Sequence, residues 1–222
     1  MAPARALAPR LAAVNAALRP VLASGSPRRR ELIAQLGLAA EVIKSTFEED
    51  LNKAAFAGAG EYAAATAAKK AEEVARRAEA QGRLVVGADT VVESPGGVVL
   101  EKPADAADAK RMLFELSGAT HRVHTGVALV LPGESAARTF HETTEVTFGE
   151  LDEQAVDQYI ASGDPFDKAG SYGIQGAAGV FVSSIHGCYF NVVGFPMHRF
   201  HNELAVLIDS EGLLPEDADA SA

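Results

Sequence analysis

A turn rich in hydroxyl and guanidinium groups lies near the start of the chain, where residues 24–29 are Ser-Gly-Ser-Pro-Arg-Arg. The serine-proline pair predicts the beginning of a helix, whose N-terminus offers unpaired N–H groups and a partial positive charge. Together with Ser24, Arg28 and Arg29, such a terminus can bind a phosphate, since a guanidinium group donates to two oxygens at once. The alternative is a capped surface helix with solvated arginines.

A single carboxylate, Asp89, follows a hydrophobic stretch farther along the chain. We expect a buried strand over 84–86 to end at this aspartate, at the rim where open α/β sheets bind their ligands. There Asp89 can bind Mg²⁺ together with substrate phosphates, or act as a general base on water. Glu48 and Glu49, in a polar loop, are candidates for a further metal ligand. The alternatives are a turn-capping aspartate and an ordinary charged loop.

Several lysines can contribute positive charge to the same site. Lys102 and Lys168 each lie beside an acidic residue in a loop. There they can neutralise charge on a phosphoryl oxygen, or they can form ordinary solvated ion pairs. Lys69 and Lys70 are adjacent on a predicted helix, so only one of the two is expected to face a cleft.

The composition restricts the partners and the location of the protein. The chain carries 30 acidic and 20 basic side chains, a net charge of -10, which disfavours nucleic acid polymers and anionic membranes as partners. A local basic cluster can still hold a small phosphate ligand, because surface charges are screened beyond about 8 Å. Cys188 is the only cysteine, and no apolar run reaches the roughly 20 residues of a membrane span. These features predict a cytoplasmic protein.

The hydrophobic pattern predicts one α/β unit without internal repeats. A strand, a tight turn and a helix over 20–37 come first, and a glycine-rich segment over 163–187, with a strand at 180–182, comes late. The other expected elements are strand 41–43, helix 61–80 closed by Gly82, strand 84–86, a hairpin over 91–100, helix 105–116, strands 121–131 and 138–148, helix 151–162 and helix 196–208.

The chain divides into three parts. Residues 1–19 form an N-terminal extension that contains arginines but no acidic residue. It is either the remnant of an organelle transit peptide, or a frayed extension or a short extra helical turn. Residues 20–209 form the main domain, and residues 210–222, acidic and rich in small residues, form a solvated tail.

Short motifs follow one another along the main domain. They are 22–32 (LASGSPRRREL), 87–92 (GADTVV), 100–103 (LEKP), 116–118 (LSG), 167–176 (DKAGSYGIQG) and 191–196 (NVVGFP). In this order they resemble the Maf family of nucleotide pyrophosphatases, once named septum-formation inhibitors, over residues 20–203. The resemblance implies a twisted mixed sheet with flanking helices, arranged in two lobes around a central cleft. It also implies a homodimer, which is common in the family.

The activity that the resemblance implies is hydrolysis of a nucleoside triphosphate between its α and β phosphates, with a divalent cation, Mg²⁺ or Mn²⁺. The catalytic acid of the family falls on Asp89, which would accept a proton from water or hold the metal, with Glu48 and Glu49 as further candidate ligands. The implied phosphate contacts are Ser24, Arg28, Arg29, Lys70, Lys102 and Lys168.

Branches of the family differ at three positions, which here are Arg28, Thr90 and Gln175. This set resembles the branch that acts on dTTP and UTP, whereas the branch preferring 7-methyl-GTP has Trp, Gln and Glu there. A glutamine amide can pair with the N3–H donor and a carbonyl acceptor of uracil or thymine. We therefore expect an enzyme that cleanses the nucleotide pool of dTTP, UTP or modified pyrimidine nucleotides. The alternatives are a purine-selective pyrophosphatase of the inosine triphosphate type and a non-catalytic regulator of cell division.

Overall fold

A seven-stranded mixed sheet lies at the centre of the structure, a computed structural model that describes residues 7–214. The expected α/β class, a mixed sheet with flanking helices, is confirmed. The strands are β1 (Val21–Leu22), β2 (Glu41–Val42), β3 (Val85–Glu93), β4 (Val99–Leu100), β5 (Thr120–Val130), β6 (Arg138–Phe148) and β7 (Val182–His186). The α-helices of the described residues are α1 (Leu11–Leu18), α2 (Pro27–Gln35), α3 (Ala59–Ala75), α4 (Ala106–Leu116), α5 (Glu153–Ala161), α6 (Tyr189–Val193) and α7 (Met197–Glu211).

Strand β3 is paired along its whole length on one edge and only at its two ends on the other. β5 pairs antiparallel with every residue of β3. On the opposite edge, β1 runs parallel to β3 and stops at Leu22, opposite Val86, whereas β4 begins to pair at Val92. No strand within residues 7–214 pairs with residues 88–91 on that edge. The strand order is β2-β1-β3-β5-β6-β7. Because β1 and β4 pair only with the two ends of β3, the sheet has an opening beside the middle of this strand.

The expectation that a strand ends at Asp89 is wrong. β3 continues through Asp89 to Glu93, because the full-length partner β5 supports it on the other edge. The carboxylate still lies at an opening of the sheet, but the opening arises because β1 and β4 are short. The sequence around Asp89 does not indicate that β1 and β4 are short.

Buried hydrophobic side chains gather at both ends of β3. At one end, Val86 and Ala88 pack with α1, α2 and α7, and Val85 packs with α3 on the other face. At the other end, Val92 packs with α4 and α5. The middle of β3, which has no strand partner on the β1/β4 edge, lies between these two groups. The predicted arrangement of two lobes around a central cleft is therefore confirmed.

Helix α3 lies unusually close to the sheet. A Cβ at Gly126 on β5 would overlap the backbone of Ala63 and Ala64, and a Cβ at Gly87 on β3 would overlap Ala67 O. The contact face of α3 is made of small residues, so the helix backbone can approach the strands directly. This close packing determines which α3 side chains reach the cleft.

Helix α3 does not extend to its predicted end at residue 80. It ends at Ala75, and a separate 3-10 turn over Ala78–Ala80 follows. Arg77 lies between them in an extended conformation, with its Nε donating back to Glu73 Oε1 at 2.8 Å. This break could not be foreseen, because every residue around it is a good helix former.

The described part of the N-terminal extension is helical and packed against the domain. Leu7, Val14 and Leu18 are buried in the same hydrophobic cluster as α2 and α7, and Arg10 pairs with Asp209 at 2.8 Å. The frayed interpretation is therefore wrong for this part. Residues 1–6 of the predicted extension and 215–222 of the predicted tail lie outside the described residues. No helix within residues 7–214 is both long and apolar enough to span a bilayer.

The glycine-rich segment is mostly a series of 3-10 turns, over Asp164–Asp167, Ala169–Ser171 and Ala177–Phe181. The strand predicted at 180–182 is misplaced: pairing with β6 begins only at Val182, so β7 starts two residues later and ends four residues later than predicted. Gly170 has a positive φ of 67° and lies directly against Val92, so this segment packs on the far end of β3.

Candidate active site

Asp89 and Lys70 form an ion pair at the floor of the cleft. Lys70 Nζ lies 2.7 Å from Asp89 Oδ1 and 2.8 Å from Glu49 Oε1, so one ammonium group bridges two carboxylates. Asp89 and Lys70 are buried, whereas Glu49 approaches from the exposed loop after β2. Lys69, the neighbouring residue on α3, has 52% of its side chain exposed and pairs with Glu72. Lys70 is therefore the lysine that faces the cleft.

Burial controls the ionisation of Asp89. Its removal from water raises the pKa of the carboxyl group; Lys70 and Arg29 oppose the rise, and Glu49 adds to it. The pKa of Asp89 consequently lies above the ordinary aspartate value. A carboxylate with a raised pKa accepts a proton more readily than a solvated one, which suits a general base.

The serine turn begins α2 as predicted. Ser26 is the N-cap, with its Oγ accepting from Arg29 N at 3.5 Å, and Pro27 is in the first turn. Ser24 Oγ accepts from Ser26 N at 3.3 Å. Residues 24–29 all line the cleft, so the N-terminus of α2 brings its partial positive charge to the site.

Arg29 connects this turn to β3 and to the loop before α7. Its Nε donates to Gly194 O at 3.0 Å, its Nη2 to Thr90 Oγ1 at 2.9 Å, and its Nη1 to Ser24 Oγ at 3.2 Å. Burial lowers the pKa of Arg29, and the nearby Asp89 is the strongest influence in the opposite direction. These hydrogen bonds hold the guanidinium group in place and use part of its donor capacity. Arg29 thus positions the turn and Thr90 as well as adding charge.

Arg28 of the turn and Lys168 of the glycine-rich segment both pair with the carboxylate of Asp167. Lys168 Nζ lies 2.6 Å from Asp167 Oδ1 and 2.8 Å from Asp164 Oδ1, and Arg28 Nη2 lies 3.6 Å from Asp167 Oδ2. Gly173 makes room for them, since a Cβ there would lie 2.6 Å from Lys168 Cε and 3.7 Å from Arg28 Nη1. The glycine-rich segment therefore closes one side of the cleft around these two cations.

All these side chains line a single cleft of about 760 Å³, a size typical of a small-molecule site. The predicted site residues that line it are Ser24, Arg28, Arg29, Glu49, Lys70, Asp89, Thr90, Lys102, Lys168 and Gln175. Glu48 does not line it. Glu48 is exposed, and only its neighbour Glu49 reaches Lys70. The structure therefore brings Glu49, but not Glu48, to the Asp89–Lys70 pair, and Glu48 as a metal ligand stays a prediction.

Lys44 also lines the cleft, although no motif in the sequence predicts it. The parallel pairing of β2 with β1 could have predicted its position, because the residues following both strands lie at one edge of the sheet. Lys44 follows β2 in the same way that Ser24 follows β1. A lone lysine after a two-residue strand gives no motif, so only the parallel pairing reveals its position.

The residues present fit a divalent cation. Asp89 and Glu49 direct carboxylate oxygens to one cationic group, and Mg²⁺ typically uses one or two carboxylates together with substrate phosphates and water. Within the described chain, no group of three or more His, Cys, Asp or Glu residues forms a complete protein cage for a metal. The donor set suits a cation that arrives with a polyphosphate.

The cleft combines a buried aspartate, a helix N-terminus and several cations at the interruption of a mixed sheet. These features define an α/β protein with a site for a small phosphate-rich ligand. Residues 19–207 match the family model described as Maf-like protein, and the chain belongs to the Maf family.

Individual relatives agree with this membership. A human protein named probable bifunctional dTTP/UTP pyrophosphatase/methyltransferase is 47% identical over 85% of this chain, and the chain spans 32% of that relative's length. A Bacillus cytotoxicus protein named dTTP/UTP pyrophosphatase is 48% identical over 83% of this chain and is matched over 93% of its own length. A Bacillus cereus protein of the same name is 46% identical over the same shares.

Proposed function

We propose that this chain is a nucleoside-triphosphate pyrophosphatase that hydrolyses dTTP and UTP to the monophosphate and pyrophosphate. It is a hydrolase of phosphoric anhydrides in nucleotide metabolism, and it removes canonical or modified pyrimidine triphosphates from the nucleotide pool. The observation that carries the proposal is the buried Asp89–Lys70 pair, 2.7 Å apart, at the centre of a cation-lined cleft. The names of the Bacillus and human relatives support the same activity.

In the proposed reaction, Asp89 acts as the general base. The oxygen of a water molecule bonds to the α phosphorus while Asp89 takes one of its protons. The bond from that phosphorus to the bridging oxygen breaks, and pyrophosphate leaves. Asp89 suits this role because burial raises its pKa, and Lys70 holds the carboxylate in place.

The surrounding groups bind the substrate in this proposal. Ser24, Arg28, Arg29, Lys70, Lys102 and Lys168 contact phosphate oxygens through charge-assisted or neutral hydrogen bonds. The divalent cation of the family, Mg²⁺ or Mn²⁺, would be held by Asp89 and Glu49 and would neutralise charge on the phosphates. Arg28, Thr90 and Gln175 determine which nucleobase the enzyme accepts.

A panel of triphosphates tests the activity. Pyrophosphate release from UTP, dTTP, inosine triphosphate, GTP and 7-methyl-GTP is measured with Mg²⁺, Mn²⁺ or no metal. Preference for UTP and dTTP supports the proposal. Preference for inosine triphosphate supports the purine-selective alternative, and no turnover of any of them supports the non-catalytic regulator.

Other properties of the protein stay predictions. We expect a catalytic domain over residues 20–209, no binding to nucleic acid polymers or membranes, and a cytoplasmic location. Light scattering of the purified chain tests the homodimer that the resemblance implies. Fractionation of cells producing the full chain tests its location, including import directed by residues 1–19.

A further inference from the structure

Three of the cations that line the cleft have a carboxylate partner. Arg28 pairs with Asp167, Lys70 with Asp89 and Lys168 with Asp164. Lys44, like Lys102, forms no ion pair with any residue in the part of the chain that the structure describes. Its side chain is exposed at the cleft, so its charge is available to a ligand.

Lys44 also lies against the phosphate-binding turn. A Cβ built on Gly25 would lie 3.2 Å from Lys44 Cδ and 3.4 Å from Lys44 Cε. The aliphatic part of the lysine therefore crosses the turn at Gly25, between Ser24 and Ser26. This contact places Lys44 Cε, the carbon that carries the ammonium group, next to the turn that begins α2, where an anion is already favoured.

The position of Lys44 along the cleft indicates which part of the substrate it meets. The turn and Lys44 lie at the end of β3 that pairs with β1, at Val86, and Lys44 contacts the turn at Gly25. The part of the glycine-rich segment next to Gln175 lies beside the other end of this turn, since a Cβ at Gly173 would lie 3.7 Å from Arg28 Nη1. Asp89 lies on β3 beyond the end of β1.

A nucleotide that is cleaved beside Asp89 and places its base near Gln175 and Arg28 would direct its outer phosphates away from these residues, toward Gly25 and Lys44. We infer that Lys44 binds the β and γ phosphates, which leave together as pyrophosphate. The assignment of a phosphate follows from the positive charge and from the adjacent helix N-terminus. The direction of the substrate rests on the proposed function, because it uses cleavage at Asp89 and base contact at Gln175.

Inhibition by pyrophosphate and by UMP tests whether Lys44 binds the β and γ phosphates or another part of the substrate. Lys44→Met keeps the aliphatic stem over Gly25 and removes the charge. We expect KM for UTP and the inhibition constant of pyrophosphate to rise about tenfold, since a hydrogen bond to a charged group contributes that much. The inhibition constant of UMP should stay unchanged. Lys44→Arg should restore most of the pyrophosphate binding.

Lys69→Met is the matched control. It removes one lysine charge from an exposed position on α3 that does not line the cleft. It therefore corrects for the change in net charge, and it should leave KM and both inhibition constants as they are.

The outcomes decide the inference in either direction. Unchanged pyrophosphate inhibition in Lys44→Met, or an equal loss for UMP and pyrophosphate, overturns it. Calorimetric titration of pyrophosphate into the wild type and Lys44→Met measures the same contact without turnover. If the wild type turned over neither UTP nor dTTP, the proposed function would fail, and the titration would still decide whether Lys44 binds pyrophosphate.

Discussion

Asp89 on β3 and Gly126 on β5 are direct partners in the antiparallel register. A side chain at Gly126 would overlap the backbone of Ala63 and Ala64 on α3, so the glycine is what permits the helix to rest on the sheet. The same helix carries Lys70 to within 2.7 Å of Asp89. A residue without functional groups therefore controls the distance between the two charges at the centre of the site.

Substitution of Gly126 by alanine tests this relationship. The added methyl group must push α3 away from β5, which separates Lys70 from Asp89. We expect a loss of about 1–3 kcal/mol in the free energy of unfolding, typical of overpacking, together with a lower kcat. Gly149→Ala is the control, because nothing lies within 4 Å of a Cβ there. Wild-type stability of Gly126→Ala would show that α3 does not depend on this contact.

Removal of the negative charge of Asp89 tests its proposed role as the general base. Asp89→Asn keeps the shape of the side chain but cannot accept a proton, so we expect kcat to fall by about 10²- to 10⁴-fold. The melting temperature should change little, because Glu49 still pairs with Lys70 at 2.8 Å. Asp157→Asn, on the exposed face of α5, is the control for loss of one negative charge. More than half of the wild-type rate in Asp89→Asn would remove this residue from the mechanism.

The pH dependence of the rate follows from the raised pKa of Asp89. The base works only when ionised, so kcat/KM should fall as the pH decreases through that pKa. The midpoint should lie above about 3.9, the ordinary aspartate value. Lys70→Gln removes the largest influence that lowers the pKa of Asp89, and we expect it to move the midpoint to higher pH. An acid limb that Lys70→Gln leaves in place would assign the titration to another group.

His121 should make the stability of the fold depend on pH. Its Nε2 lies 2.8 Å from Tyr172 Oη in the core, and burial lowers the pKa of His121 to about 4. In the unfolded chain the pKa is about 6.5, so the unfolded state binds the proton first as the pH decreases. Stability should fall from pH 6.5 toward pH 4, by at most roughly 3 kcal/mol.

Chemical denaturation at several pH values measures this effect. In His121→Gln the slope between pH 6.5 and pH 4 should become smaller, because the titrating group is absent. His198→Gln removes an exposed histidine on α7 and should keep the wild-type slope. If His121→Gln kept that slope too, the loss of stability would have to come from carboxylates.

The sequence predicts correctly those elements whose start or extent is determined by their own residues. Ser26 and Pro27 specify the start of α2 through capping and a fixed φ, so the turn was predicted correctly together with its position at the cleft. The strands over 120–130 and 138–148 were also recognised, because their hydrophobic pattern extends over many residues.

Features that depend on distant partners were not predictable in this way. The opening beside Asp89 exists because β1 and β4 are short, and the break after Ala75 occurs among good helix formers. Glu48 and Glu49 are chemically identical neighbours, and only the position of Lys70 distinguishes them. Lys44 has no motif at all, and only the parallel pairing of β1 with β2 brings it to the site.

The choice of base should depend on Gln175, which lines the cleft on the glycine-rich segment with an exposed side chain. Its amide can accept from the N3–H of uracil or thymine and donate to a neighbouring carbonyl, whereas a carboxylate only accepts. Gln175→Glu would therefore place a charge against that carbonyl. A polar mismatch of this kind costs about 1–3 kcal/mol, so we expect kcat/KM for UTP and dTTP to fall roughly tenfold or more, with little loss of stability.

Conversion to guanine nucleotides should not follow from Gln175→Glu alone. Thr90 stays bonded to Arg29 at 2.9 Å, and Arg28 stays beside Gly173, so the pocket keeps its shape for the smaller ring. The measurement is kcat/KM for UTP, dTTP, GTP and 7-methyl-GTP on the wild type and the variant. Gln154→Glu, on the exposed face of α5, is the control for the added charge. If Gln175→Glu lowered kcat/KM for all four nucleotides by one common factor, Gln175 would act on the phosphates or the loop, and the base would be recognised elsewhere.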